Sequence, residues 1–99
     1  MILAMYDLSR TTAADRRNAQ IVHKKFLQSG YSMLQESVYV KLLKNSRTVP
    51  HEMDELHRML PENGNINAIS MTLNAFKSIH IWGNSLFNLD HFAEDMIVL

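Results

Sequence analysis

Residues 2–6, Ile-Leu-Ala-Met-Tyr, form an unbroken apolar run that ends on the carboxylate of Asp7. A short run without polar alternation reads as a strand covered on both faces, so the chain must supply material for either side of a sheet. A buried strand that delivers an acid at its C-terminal end is one way to place a charge at a site. Asp is also favoured at the start of a turn, and the spacing alone leaves both readings of Asp7 open.

The segments that follow can provide the cover. Thr12-Ala13-Ala14-Asp15 has the hydroxyl-then-acid spacing of a helix start. Ala19, Val22 and Phe26 recur at helical spacing as far as Ser29, and Gly30 is a natural stop. Residues 31–34 read as a second strand and Gln35-Glu36 as a tight break. Residues 37–43 then alternate, predicting a half-buried third strand with Val38, Val40 and Leu42 on one face and Tyr39 and Lys41 on the other. A second helix carries Pro50 in its first turn, buries Met53, Leu56 and Leu60, and stops at Pro61. After the turn at 61–65, residues 66–73 predict a fourth strand with Ile69, Met71 and Leu73 on one face. Residues 74–78 suit a helical turn, and 79–82 a short fifth strand closed by Gly83. The order strand, helix, strand, strand, helix, strand is that of a ferredoxin-like α+β sandwich, here with an extra C-terminal strand.

A chain of 99 residues fits one domain, and at that size only about 60 to 65% of the unfolded surface is buried, so a dimer interface would help it. Residues 1–83 make the ferredoxin-like domain. Residues 84–99 form a tail that mixes Leu86, Phe87, Leu89 and Phe92 with Asp90, Glu94 and Asp95, a density of apolar side chains that needs a partner surface. The absence of cysteine excludes disulfides and Cys-based zinc sites. No run is long enough for a membrane helix and no basic leader is present, so a soluble, cytoplasmic protein is expected.

The net charge is zero, but its distribution is not even. Residues 1–50 carry eight basic and three acidic side chains, or +5, and residues 51–99 carry two basic and seven acidic, or −5. A basic half of this kind suits a polyanion, unless the halves interleave in space. Arg17 and Lys24, seven residues apart, share a helix face that would suit phosphates. Arg10 and Arg16 belong to the same basic half.

Several familiar chemistries are missing. His51 and His57 are six apart instead of the four a zinc-protease helix uses. His23, His80 and His91 occur singly and read as surface or packing residues. Three glycines cannot make a glycine-rich phosphate loop, and no aromatic signature of an RNA-recognition sheet occurs. Asp7 remains. Mg2+ keeps most of its waters and asks for only one or two carboxylates, which a two-fold dimer pairing two copies of Asp7 would supply.

Ala-Met-Tyr-Asp-Leu at 4–8, Ala14-Asp15-Arg16-Arg17 leading the first helix, and Gly30-Tyr31-Ser32-Met33-Leu34-Gln35-Glu36-Ser37-Val38-Tyr39 together resemble the Cas-two family of small CRISPR-associated adaptation proteins. Leu60-Pro61-Glu62-Asn63-Gly64-Asn65-Ile66 looks like the form found beside single-protein effector nucleases. The resemblance covers residues 2–83. It implies a homodimer in which the fifth strand of one protomer extends the sheet of the other. It also implies a place between two dimers of the CRISPR integrase subunit, holding a double-stranded prespacer DNA before insertion. Members of the family are also assigned metal-dependent cleavage of RNA or DNA, as in related toxin-type ribonucleases.

By the resemblance, the metal and catalytic acid falls on Asp7, with Mg2+ at the dimer axis, and the catalytic serine and aromatic fall on Ser37 and Tyr39. The helix-leading arginines fall on Arg16 and Arg17, which with Arg10 and Lys24 form the expected nucleic-acid contacts. Two features depart from the family: the neutral net charge and the long acidic tail, for which docking on the integrase subunit is expected. A scaffold role is placed ahead of a nuclease role, since one carboxylate per chain is thin for hydrolysis. A regulatory domain for a small molecule is a third reading, which would predict a pocket and no polyanion binding.

Overall fold

A computed structural model of the protein describes residues 1–61 and 63–83. Strand β1 (Ile2–Leu8) leads through a short loop to helix α1 (Ala13–Gln28), the hairpin strands β2 (Ser32–Gln35) and β3 (Val38–Lys41), helix α2 (Val49–Arg58), strand β4 (Gly64–Ser70) and the short helix α3 (Leu73–Lys77). The four strands form one antiparallel sheet in the order β2-β3-β1-β4, the ferredoxin-like arrangement with the first strand inside. Among the described residues no helix is long and apolar enough to cross a membrane.

Local chemistry sets the element ends. Thr12 Oγ1 accepts from the Asp15 backbone N–H at 3.0 Å, and Asp15 returns the bond from the Thr12 N–H at 3.3 Å, a reciprocal capping box. At the other end Gly30 sits at φ +90°, a conformation that glycine adopts without a Cβ penalty. The hairpin turn places Ser37 at φ 66°.

Helices α1 and α2 cover one face of the sheet. Beneath them Ile2, Ala4, Tyr6, Val22, Phe26, Tyr31, Tyr39, Leu56 and Met59 form the main core. Phe26 is fully buried, which contributes about 1.5–3 kcal/mol. It stacks on Tyr39 at 4.5 Å between centroids and on Tyr6 at 5.7 Å. The opposite face has a smaller cluster, Met1, Val40 and Phe76, with Leu3, Leu34 and Met71 against it.

The cover is therefore unequal, and this corrects the expectation for β1. Ile2, Ala4 and Tyr6 are buried under the helices, whereas Met5 is 37% exposed and Asp7 is exposed. Helix α3 has five residues and shields only the end of the second face that holds Met1 and Val40. Ile69 on β4, opposite Leu3 on the same face, is 53% exposed for the same reason. Strand β3 departs in the other direction: it spans four residues, and both Tyr39 and Val40 are buried because Phe26 lies against one face and Phe76 belongs to the cluster on the other.

Helix α2 ends at Arg58, so Leu60 falls outside its apolar stripe and is 48% exposed, while Met59 takes the buried place. β4 is a Gly64–Ser70 strand, and Leu73 opens α3 with Thr72 as its cap instead of closing the strand. Residues 79–82, expected as a fifth strand, are not one here, since they pair with no strand among the described residues. The tail, with the acids Asp90, Glu94 and Asp95, lies outside the described residues, as does Glu62.

Candidate nucleic-acid interface

Asp7 is placed by the centre of the sheet. Its cross-strand partner on β4 is Asn65, and the next pair is Leu8 with Gly64. A Cβ on Gly64 would come within 2.1 Å of Leu8 Cδ2 and 3.0 Å of the Asp7 carbonyl oxygen, so the glycine permits the close approach of β4 to this end of β1. Side chains alternate along a strand, which puts Asp7 with Leu3 and Met5 on the face away from the main helices. There it is exposed. Asn65 shares that face and accepts from the Asn67 side-chain amide at 3.3 Å.

Whether Asp7 suits a metal is a matter of donor count. Among the described residues no group of three or more His, Cys, Asp or Glu side chains could hold an ion. One exposed carboxylate fits a hydrated Mg2+, which demands few protein ligands, only if a second copy adds its own.

The other candidates collect on the opposite face. The loop after β1 carries Arg10 to the β2–β3 turn, where it donates from Nη1 to Glu36 and from Nη2 to Ser37 Oγ at 3.2 Å. The turn is tied back to β1 because the Tyr6 N–H donates to the Ser37 carbonyl at 3.0 Å. On α1, Arg16, Gln20 and His23 fall at four- and three-residue spacing and so form one stripe. This stripe and Arg10 border a cleft of about 350 Å³ whose floor is made by Tyr6 and Tyr39.

Tyr39 is only 1% exposed. Burial, followed by its contact with Tyr6, pushes its phenol above the usual range, so it stays a neutral hydroxyl at neutral pH. Its hydroxyl makes a short bond with His23 Nδ1 and a longer contact of 3.5 Å with Tyr6 Oη.

The structure thus brings Arg10, Arg16 and Tyr39 to one cleft, to which Ser37 is joined through its bond with Arg10. It does not bring Asp7 there, which lies on the other sheet face. Nor are Arg17 and Lys24 at the cleft; both are exposed, on a helix stripe about 100° round from that of Arg16. Ion pairs among the described residues involve Arg10, Lys41, His51 and Arg58, leaving Arg16, Arg17 and Lys24 without a carboxylate.

His23, Gln20 and Glu36 were not among the expected site residues. The spacing of Arg16, Gln20 and His23 on one helix stripe is the signal that could have found the first two. Nothing in the local sequence marks Glu36 as the partner of Arg10, 26 positions away.

A family model described as CRISPR associated protein Cas2 matches residues 1–79. A CRISPR-associated endoribonuclease Cas2 of Acidovorax ebreus (strain TPSY) is 30% identical over 80 residues, 81% of this chain and 78% of that one. A protein of the same description from Ligilactobacillus salivarius (strain UCC118) is 23% identical over 99 residues, covering 99% of this chain and 98% of the other. Among solved structures, Streptococcus pyogenes Cas2 at pH 6.5 matches with a TM-score of 0.62 at 22% identity, over 83% of this chain and 98% of that one. At that identity the likeness speaks for the fold.

Proposed function

The chain belongs to the CRISPR-associated Cas2 family, and from that premise we propose that it is a spacer-acquisition subunit that holds a prespacer DNA duplex by its backbone. In this reading it works in the cytoplasm as a homodimer between dimers of the integrase subunit. Residues 1–83 form the working domain, and residues 84–99 dock on the integrase partner. The observation that carries the reading is the set of cations on α1: Arg16, Arg17 and Lys24 are exposed and have no carboxylate partner among the described residues. Contacts of this kind hold phosphates and position a duplex without reading its bases.

Doubled by a two-fold axis, three cations offer up to about six phosphate contacts, for which the logarithm of affinity falls with the logarithm of salt with a slope of roughly −5. Gel shifts of a short duplex across a salt series test this. The Arg16→Ala/Arg17→Ala/Lys24→Ala variant is expected to bind more weakly on every sequence and to show a flatter slope; unchanged binding and slope would reject the surface.

The relatives' description as endoribonucleases, with the exposed position of Asp7, favours a second reading as a metal-dependent endonuclease acting on RNA or DNA. There, two Asp7 carboxylates at the dimer axis would hold Mg2+, which would supply an activated water. Ser37 contributes here by fixing Arg10, and Tyr39 by its bond to His23. Cleavage of a duplex and of single-stranded RNA with magnesium separates the two readings. Cleavage by the protein alone that Asp7→Asn abolishes while binding persists makes it a nuclease. Absence of cleavage, with duplex binding that survives Asp7→Asn and is completed by the integrase subunit, makes it a scaffold.

A further inference from the structure

The cleft between α1 and the β2–β3 hairpin is not explained by a backbone grip, which needs only an exposed row of cations. We propose that it is a seat for a nucleoside monophosphate group, either free or at the unpaired end of a strand, with Arg16, Gln20 and His23 binding the phosphate.

Size is the first argument. At about 350 Å³ the cleft lies at the lower end of the range of small-ligand sites. A lone phosphate would leave most of it empty. Chemistry is the second argument. The guanidinium of Arg16 has no carboxylate partner among the described residues, and Gln20 lies one turn further along the same stripe. His23 is set by Tyr39. The hydrogen bond between the Tyr39 hydroxyl and Nδ1 fixes the orientation of the ring and leaves Nε2 for a ligand.

Among the described residues no buried side-chain nitrogen or oxygen lacks a hydrogen-bond partner and none bonds Nε2, so this nitrogen is open to solvent, and His23 lines the cleft. Three phosphate-binding groups, a guanidinium, an amide and an imidazole, therefore border one concavity. The third argument is the wall for a base: Met33 is 42% exposed at the cleft, and Ala19 lies across from it on α1.

Glu36 carries a distinctive consequence. Its carboxylate occupies Arg10 and stands at the cleft, where it repels a phosphate. Glu36→Gln removes that charge and releases Arg10 toward the ligand, so it is expected to tighten binding. This sign is opposite to that of an ordinary loss-of-contact substitution.

The free-nucleotide arm of the proposal is independent of the duplex grip, whereas the strand-end arm rests on the nucleic-acid reading. The test is amide NMR titration and calorimetry of the full chain with AMP, GMP, CMP and UMP, the matching nucleosides and inorganic phosphate. A ten-nucleotide single strand with and without a 5′-phosphate is titrated alongside.

Monophosphates are expected to shift residues 16–23 and 33–39 and to bind at least tenfold more tightly than nucleosides. Arg16→Ala is expected to weaken them about tenfold, and Glu36→Gln to strengthen them about threefold. Tyr39→Phe, which keeps the ring stack and removes the bond to Nδ1, is expected to change the imidazole nitrogen shifts of His23 and to weaken binding. A phosphorylated strand binding tenfold better than the free nucleotides assigns the group to strand ends; equal affinities assign it to free nucleotides.

Equal binding of nucleosides and monophosphates, binding no tighter than about 10 mM, or weaker binding by folded Glu36→Gln would overturn the proposal. Unchanged duplex binding in Arg17→Ala/Lys24→Ala with monophosphate binding intact would count against the duplex grip instead.

Discussion

Replacing Glu52 with alanine removes the acceptor that ties α2 to the β2–β3 hairpin. Glu52 is 7% exposed, and its Oε1 accepts from Tyr31 Oη at 3.2 Å and from Lys41 Nζ at 2.9 Å. Hydrogen bonds to a charged group are worth about 1.5–3 kcal/mol each, and a stranded buried donor costs about 1–3 kcal/mol. Tyr31, at 3% exposure, would be stranded in the variant. The Lys41 side chain keeps 24% of its exposure and can turn to water, and losing a buried carboxylate relieves some desolvation. The balance is a loss of about 2–3 kcal/mol, or roughly 10–20 °C in melting temperature for a domain of this size.

Urea unfolding followed by circular dichroism measures the loss, at one fixed protomer concentration because self-association would make the midpoint depend on concentration. The double variant Lys41→Met/Glu52→Met is expected to regain only part of the loss, since apolar side chains of similar volume can replace a buried ion pair but the Tyr31 hydroxyl stays without its acceptor. A Glu52→Ala loss below about 0.5 kcal/mol would refute the reasoning, as would strict additivity of the two single changes, since contacting partners couple by 0.5–3 kcal/mol on the general scale.

Three further outcomes follow from the same coordinates. Hydrogen bonds from Ser9 first, then from the Thr12 backbone, Thr12 side chain and Thr11, hold the Asp15 carboxyl below its ordinary value. A depressed folded-state value stabilises above the unfolded one near 3.9 and is lost as pH falls through it, so the urea midpoint gap between wild type and Asp15→Asn is expected at pH 7 and closes below about pH 4. Gly64→Ala forces a Cβ against Leu8 Cδ2 and is expected to cost about 1–3 kcal/mol and to shift the Asp7 and Leu8 amide signals; an unchanged spectrum would show that the approach is loose. Phe76→Ala empties the second-face cluster, where Phe76 is 1% exposed, and is expected to cost about 3–5 kcal/mol by urea unfolding.

The parts of the fold legible in the sequence are those decided locally. The capping box at Thr12 and Asp15 and the stop at Gly30 each depend on residues within a few positions, as does the break expected at Gln35-Glu36, which falls one residue later at Glu36-Ser37. What was not legible depends on distant partners. Met5 reads as buried because its neighbours are apolar, but its exposure follows from the length of α3, some 70 residues later. Glu52 reads as a solvated helix charge, yet it is buried against Tyr31 and Lys41. The bond between His23 and Tyr39 depends on how α1 is rotated over the sheet, which no periodicity encodes. Residues 79–82 have strand-like composition, but strand structure needs a ladder partner, and they have none among the described residues.

Asp7 and the cleft stand at the same end of the sheet, on opposite faces, and they are held there by different contacts. The position of Asp7 is set by the close β1–β4 register at Gly64. The cleft is set by the Tyr6–Ser37 backbone bond, the Arg10 contacts to Glu36 and Ser37, and the His23–Tyr39 pair. Because neither set shares a side chain with the other, a change at Asp7 leaves the cations where they are. Binding by Arg10, Arg16 and their neighbours and any chemistry at Asp7 are therefore separable by substitution. A nucleic acid that touches both within one chain must pass round the end of the sheet, over the loop at residues 9–12 that Ser9, Thr11 and Asp15 tie together. Otherwise it must meet the acid of one copy and the cations of another, which makes the relative placement of two chains the quantity on which the choice between scaffold and nuclease turns.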